Sequence, residues 1–168
     1  MIARLLKTKG VFEYCEAAEQ VKKQYPDAVF DLVGPEGTIK KEDIKKYIDS
    51  GAIVYHGKTD DVRPFIDQCS VHVLPSYKEG LGLVNVEAGA RGRASITCDT
   101  NGTRDTVKDG YNGFLVPVGN SEKLAEKMIW FLEHPEAIEE MGRNSREYVE
   151  SKFDQKIINE KICRIIGV

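Results

Sequence analysis

No apolar run in this 168-residue chain approaches the roughly 20 residues that span a bilayer, and its first residues lack a secretory-leader pattern. Those two absences set the expectation of a cytoplasmic chain. There is no C-x-x-C pair. Cys15, Cys69, Cys98 and Cys163 lie far apart, each in an apolar stretch, and read as reduced core thiols. The histidines do not fall at ligand spacing from those cysteines, so no metal site is expected. Excess positive charge is missing too: a formal net charge of −3 gives no general nucleic-acid footprint. Internal repeats, low-complexity segments and linkers are absent. What remains, 41% apolar and 30% charged residues, is an ordinary soluble composition, long enough for one domain with its own core.

Strand-like and helix-like patterns alternate along most of the chain. Met1-Ile2-Ala3 reads as the tail end of a strand, and Val11, Tyr14, Ala18 and Val21 then recur at helical spacing until Pro26. Ala28 to Val33, Ala52 to Tyr55, Val71 to Leu74, Ala94 to Thr97 and Phe114 to Val116 read as strands. Between them, Lys41 to Ser50 has a helical pattern ending at Gly51, and Thr59 is placed to cap a short helix carrying Val62, Phe65, Ile66 and Cys69 on one face. His56-Gly57-Lys58 is expected as a loop, and Asn101-Gly102-Thr103 as a loop leading into a short turn of helix. The last third is helical: Ser121 as cap for Glu122 to Glu133, a break at His134-Pro135, then Glu136 to about Lys152. Asp154 caps a final helix with Ile158, Ile162 and Ile165 inward. The pattern predicts an α/β fold with a doubly wound, mostly parallel sheet and a helical C-terminal tail.

In such sheets ligands bind beyond the carboxyl ends of the strands. That places Arg4, Lys9, Gly34, His56, Glu79 and Gly102 on one rim. The centre of interest is Pro75 to Ala88, where the strand Val71-His72-Val73-Leu74 passes through Gly80-Leu81-Gly82 into a helix. A helix start presents free N–H groups and a positive dipole end, which suits phosphate. G-x-G alone is too weak for a dinucleotide fingerprint. Arg4 and Lys9, five positions apart, could neutralise a diphosphate or could be solvated surface cations. Glu79 and Glu87, eight positions apart, have three readings. They could stabilise a helix start, by about 0.3–1 kcal/mol each. They could be a glycosidase-like pair, though nothing else here forms a sugar cleft. Or each could accept hydrogen bonds from a vicinal diol. A nucleotide sugar joins these ideas: carboxylates for hydroxyls, cations and amides for phosphates. Of the histidines, His72 alternates within a strand and reads as a core residue, and His134 as an exposed one at a helix break.

The run Pro75 to Ala88, with glutamates separated by seven residues, is similar to the hallmark of glycosyltransferase family 4, retaining nucleotide-sugar-dependent enzymes of the GT-B fold. Ala3-Arg4-Leu5-Leu6-Lys7-Thr8-Lys9-Gly10 resembles that family's arginine and lysine turn, and Gly102 and Asp109 to Val116 resemble further elements in order. The resemblance covers residues 1–168 as a single nucleotide-sugar-binding domain, the C-terminal half of a GT-B enzyme. It implies that Arg4 and Lys9 bind the donor diphosphate of a UDP- or GDP-sugar and stabilise the leaving group without a metal. It further implies that Glu79 contacts the sugar and Glu87 the ribose. Gly80, Leu81, Gly82 and Leu83 would bring amides to the phosphates, and His56 and Gly57 would lie near the base.

The sequence departs from the family pattern at Leu81, where an aromatic residue is common, at Val84, where proline is common, and at Arg104 beside Asp105. The family's N-terminal, acceptor-binding domain is expected as the missing partner, with a glycan or glycolipid acceptor. The final helix resembles the element that braces that domain, and without it the apolar face of Ile158, Ile162 and Ile165 is expected to be exposed or to pack on a neighbour. The chain alone is expected to be a donor-binding fragment rather than a competent transferase. Peripheral contact with the inner face of the membrane would belong to the full-length protein. Two rivals differ in what they need: a non-catalytic nucleotide-binding or oligomerisation domain has no use for both glutamates, and a GT-B epimerase or phosphorylase acts on related donors.

Overall fold

In the computed structural model, which describes residues 1–166, five parallel strands are joined by helices, except that turns alone connect the fourth to the fifth. They fall into two groups. β1 (Asp31–Val33) pairs in parallel with β2 (Val54–Gly57), and β3 (Val71–Leu74), β4 (Ala94–Cys98) and β5 (Gly113–Val116) form a second parallel sheet in that order. The opening residues run beside β1 as isolated parallel bridges, Ile2 to Val33 and Leu5 to Glu36. Their backbone bonds are strand-like, with the Ala3 amide donating to the Val33 carbonyl and the Val33 amide to that of Met1, both at 2.9 Å.

Every residue of β4 is buried, which requires cover on both faces. α1 (Val11–Lys22) packs on α5 (Ser121–Glu133), and α4 (Leu83–Ala90) packs on α6 (Pro135–Phe153). The face of α1 read from the sequence is the one that is buried, with Cys15 and Ala17 added to Val11, Tyr14, Ala18 and Val21. Leu5, Leu32, Ile44, Tyr47, Ile53 and Ile96 complete a core to which both sheets contribute.

Several local expectations are corrected. The helix after β2 is α3 (Arg63–Gln68), with Val62 as its N-cap residue. Thr59 does not cap it, because its hydroxyl is bonded to the Asp61 backbone, while the Asp61 carboxylate takes the Arg63 amide at 3.0 Å. The stretch before Gly51 divides into a 3-10 turn, Lys41–Ile44, and a short α2 (Lys45–Asp49). α5 is capped by Asn120, whose side chain accepts from the Lys123 amide at 2.8 Å, and not by Ser121, which is the first helical residue. His56 and Gly57 belong to β2 and not to a loop, because the backbone pairing with β1 continues to Gly57. The segment after Gly102 forms consecutive hydrogen-bonded turns rather than helix. In α7 (Gln155–Ile166), Asp154 does receive the Lys156 amide at 2.7 Å. Ile158, Ile162 and Ile165 are exposed and not inward, the other outcome expected for that face. Cys163, on the same helix, is exposed and is no core thiol.

Candidate functional site

Three loops at the carboxyl ends of the strands are tied to one another. The first runs from Arg4 through a 3-10 turn, Lys7–Lys9, to Gly10. The second follows β3: Pro75 and Ser76 are buried, the chain surfaces at Tyr77 and Lys78, and it enters α4 after Gly82. The Tyr77 amide donates to the Thr8 carbonyl at 2.8 Å, which joins these two loops. The Tyr77 hydroxyl donates to Glu13 on α1, and that bond raises the phenol to about 12.

The third loop, Asn101 to Thr106, supports the second from behind. Gly102 has φ +87, and a Cβ there would overlap the carbonyl oxygen of Glu79 and crowd that of Gly80. Only glycine permits that approach with that backbone. Beneath the loops lies a buried polar chain. His72 Nδ1 meets Asn85 Oδ1 at 3.1 Å, and Asn85 Nδ2 donates to the Thr106 hydroxyl at 3.1 Å, which itself donates to the Thr103 carbonyl at 2.7 Å. Since Asn85 uses its amide nitrogen on Thr106, its oxygen takes the imidazole Nδ1–H and His72 is neutral. Burial drives His72 down to about 3.

The first two loops border an open cavity of about 580 Å³. Arg4, Lys9, Glu79, Gly80, Leu81, Gly82 and Leu83 all line it, with Ile2, Ala3, Leu74 and Val84. Lys9 Nζ lies 2.6 Å from Glu79 Oε1, and the two side chains are 25% and 13% exposed. Arg4 is exposed and has no acidic partner among the described residues. Gly82 is the N-cap residue of α4 at φ +68, and no side chain caps the helix start. The first amides of α4 therefore face the cavity without a side-chain acceptor, beside two cations.

Three expected site residues lie outside this lining. Glu87 is one turn beyond Leu83 on the exposed face of α4, with no ion-pair partner among the described residues. His56 Nε2 lies 2.6 Å from Asp31 Oδ1, and its ring meets Phe65 edge-on at 5.0 Å. The Gly57 carbonyl accepts from the Gly34 amide at 2.8 Å. Arg104 is paired with Asp99 and is not directed to the cavity. His134 stacks on Trp130 at 4.3 Å and is partly buried. Among the described residues, no group of three His, Cys, Asp or Glu side chains is disposed to hold a metal ion. No helix among them is long and apolar enough to cross a membrane.

Sequence reasoning missed the buried chain from His72 to Thr106 and the bond from Tyr77 to Glu13. A signal existed for Asn85, a lone polar residue among Leu83, Val84, Val86 and Ala88. A second cavity, about 400 Å³ at the amino ends of the strands, is lined by Phe30, Val71, Met128 and Phe131 among others, with no lysine or arginine.

A parallel α/β fold with two cations and an uncapped helix start on one rim defines a domain of Rossmann-like type, with a rim whose chemistry suits a phosphorylated ligand. The pattern of the family glycosyl transferases group 1 matches residues 1–148, and the chain belongs to that family. It is 31% identical over 98% of its length to the N,N'-diacetylbacillosaminyl-diphospho-undecaprenol alpha-1,3-N-acetylgalactosaminyltransferase of Campylobacter jejuni. It spans 43% of that relative, so it corresponds to part of a longer enzyme there. Among solved structures, a mutant of S. aureus TarM in complex with UDP and alpha-GlcNAc-glycerol superposes with a TM-score of 0.89. That match has 26% identity and covers 99% of this chain and 34% of TarM. The C-terminal domain of the group 1 protein LpcC from Francisella tularensis superposes with a TM-score of 0.81 at 28% identity, over 92% of this chain and 85% of that domain. The chain is thus a glycosyltransferase domain with the fold of the C-terminal half of a GT-B enzyme.

Proposed function

We propose that this domain binds a nucleotide-sugar donor, UDP- or GDP-linked, and serves a retaining transfer of the sugar to a glycan or glycolipid acceptor carried by an N-terminal domain. One observation carries the reading: Arg4, Lys9, Glu79 and the open start of α4 converge on one cavity. As the bond between the anomeric carbon and the diphosphate oxygen breaks, negative charge gathers on the departing diphosphate. Arg4, Lys9 and the α4 amides are placed to stabilise it, with no metal required. Glu79 takes sugar hydroxyls. Glu87, one helical turn further out, takes the ribose diol, and the base extends toward the β2 end at His56 and Gly57. Without an acceptor-binding domain, the isolated chain binds donor and does not transfer sugar. Its setting is polysaccharide or glycolipid assembly at the cytoplasmic side of the membrane.

The test is calorimetric titration with UDP, GDP and ADP and with their hexose conjugates. Binding of one base series is expected, and no binding of any nucleotide would refute the reading. Glu87→Ala should weaken the nucleotide and its sugar conjugate alike, by about tenfold for one lost charged hydrogen bond. A loss confined to the sugar form would remove Glu87 from the ribose.

A further inference from the structure

We propose that Glu79 competes with phosphate for Lys9, so that the site favours a nucleoside diphosphate-sugar over the bare nucleoside diphosphate. The inference rests on the donor-site reading and adds a discrimination step to it. Lys9 and Glu79 meet at 2.6 Å inside the cavity, and the carboxylate is only 13% exposed. An ion pair so enclosed is less screened by water than a surface pair.

A diphosphate arriving at Arg4 and the start of α4 must draw Lys9 away to use it. Glu79 is then left as an unpaired, mostly buried carboxylate near two phosphate charges, and such a group is costly to leave alone. Its backbone cannot retreat. The Gly102 turn abuts the Glu79 carbonyl, and the Tyr77 amide is fixed to Thr8. Lys9, on a flexible stem, is the partner that moves.

The two ligand classes now differ. A sugar conjugate brings hydroxyl donors that replace Lys9 on the carboxylate, so both charges end up satisfied. A bare nucleoside diphosphate brings none. It either leaves Lys9 with Glu79 and relies on Arg4 and the amides, or strands Glu79. In both cases it binds less well than the phosphate contacts alone would allow. Glu79 thereby disfavours the leaving nucleotide once the sugar is gone.

Glu79→Gln tests this, since it keeps shape and hydrogen bonding and removes the charge. UDP, GDP and pyrophosphate, and the matching nucleotide sugars, are titrated calorimetrically into the 168-residue chain and its variants. The variant should bind the bare nucleoside diphosphate about two- to tenfold tighter than the wild type. The sugar conjugate should gain nothing, so the two affinities draw together. In a Lys9→Met background the same substitution should give a clearly smaller gain, because repulsion between Glu79 and phosphate is relieved but no lysine is released. Glu79→Asp, which withdraws the carboxylate from Lys9, should show a smaller tightening and serves if the glutamine variant fails to fold in a thermal melt.

A wild type that binds no nucleotide overturns the donor-site reading itself. Binding by the wild type with no tightening in either Glu79 variant overturns the competition alone. Tightening that persists undiminished with Lys9→Met assigns the effect to general charge and overturns it equally.

Discussion

Acidification from pH 7 to pH 5 should destabilise the domain by about 2 kcal/mol through His72 alone, at about 1.4 kcal/mol per unit of pKa difference between the folded and unfolded states. The imidazole is fully enclosed, and burial lowers it from 6.5 to about 3. The unfolded chain takes up the proton near pH 6.5 while the folded chain refuses it. Stability is therefore intact above that value, falls as pH drops through it, and keeps falling until the folded imidazole itself titrates near 3. For a domain of this size the loss at pH 5 corresponds to about 4–8 °C in Tm. Urea unfolding followed by far-UV circular dichroism at pH 7, 6 and 5 measures it, with His72→Gln as reference. The difference in slope between the two proteins isolates His72 from the other titrating groups. Equal slopes would refute the reasoning, and so would a His72 imidazole resonance, assigned by its loss in His72→Gln, that titrates near 6.5 in the folded protein.

Two further outcomes concern the loops. Gly102→Ala should cost about 2 kcal/mol or more in urea unfolding, from a left-handed φ and overlap with the Glu79 carbonyl, and should weaken UDP or GDP binding in parallel. Unchanged stability would mean that the loop sits elsewhere. Tyr77→Phe deletes the bond to Glu13 and keeps the ring, so it should cost about 0.5–1.5 kcal/mol in the same assay and lower donor affinity through the loop it anchors. An unchanged affinity would separate the Tyr77 anchor from the site.

The strand-to-helix junction around Glu79 was legible in the sequence for a physical reason. β3 runs from Val71 to Leu74 as its apolar run indicates, and Pro75 closes it. Parallel topology then gathers the carboxyl ends of the strands, so Arg4, Lys9 and Glu79 to Leu83 could be assembled from order alone. Edge elements were less legible. The limits of β2 depend on the backbone of β1, and the pairing carries the strand two residues past Tyr55 into His56 and Gly57. The start of α3 depends on which of Thr59 and Asp61 wins the free amides, a competition between neighbours with similar capping chemistry. Glu87 was grouped with Glu79 by spacing in the chain. On a helix, four residues from Leu83 to Glu87 advance about 6 Å along the axis, which takes Glu87 past the cavity wall. The pairing of Lys9 with Glu79 spans 70 positions, and only the folded chain reveals it.

That pairing bears on how the site works as a whole. Loops are ordinarily the mobile parts of a fold, yet here each rim loop is fastened to another through its backbone. Thr8 holds Tyr77, Leu5 accepts from Ile39 and donates to Pro35, and Gly102 sits against Glu79. The buried chain from His72 through Asn85 to Thr106 locks β3, α4 and the third loop together from below. The freedom left at the rim lies in side-chain ends: Arg4 without an acidic partner among the described residues, Lys9 on its stem, Glu87 in solvent. Ligand binding should then rearrange charges on a fixed frame rather than reshape the frame. The ordering cost is confined to a few side chains, about 0.5–1.5 kcal/mol each, and selectivity falls to which charges a ligand leaves satisfied.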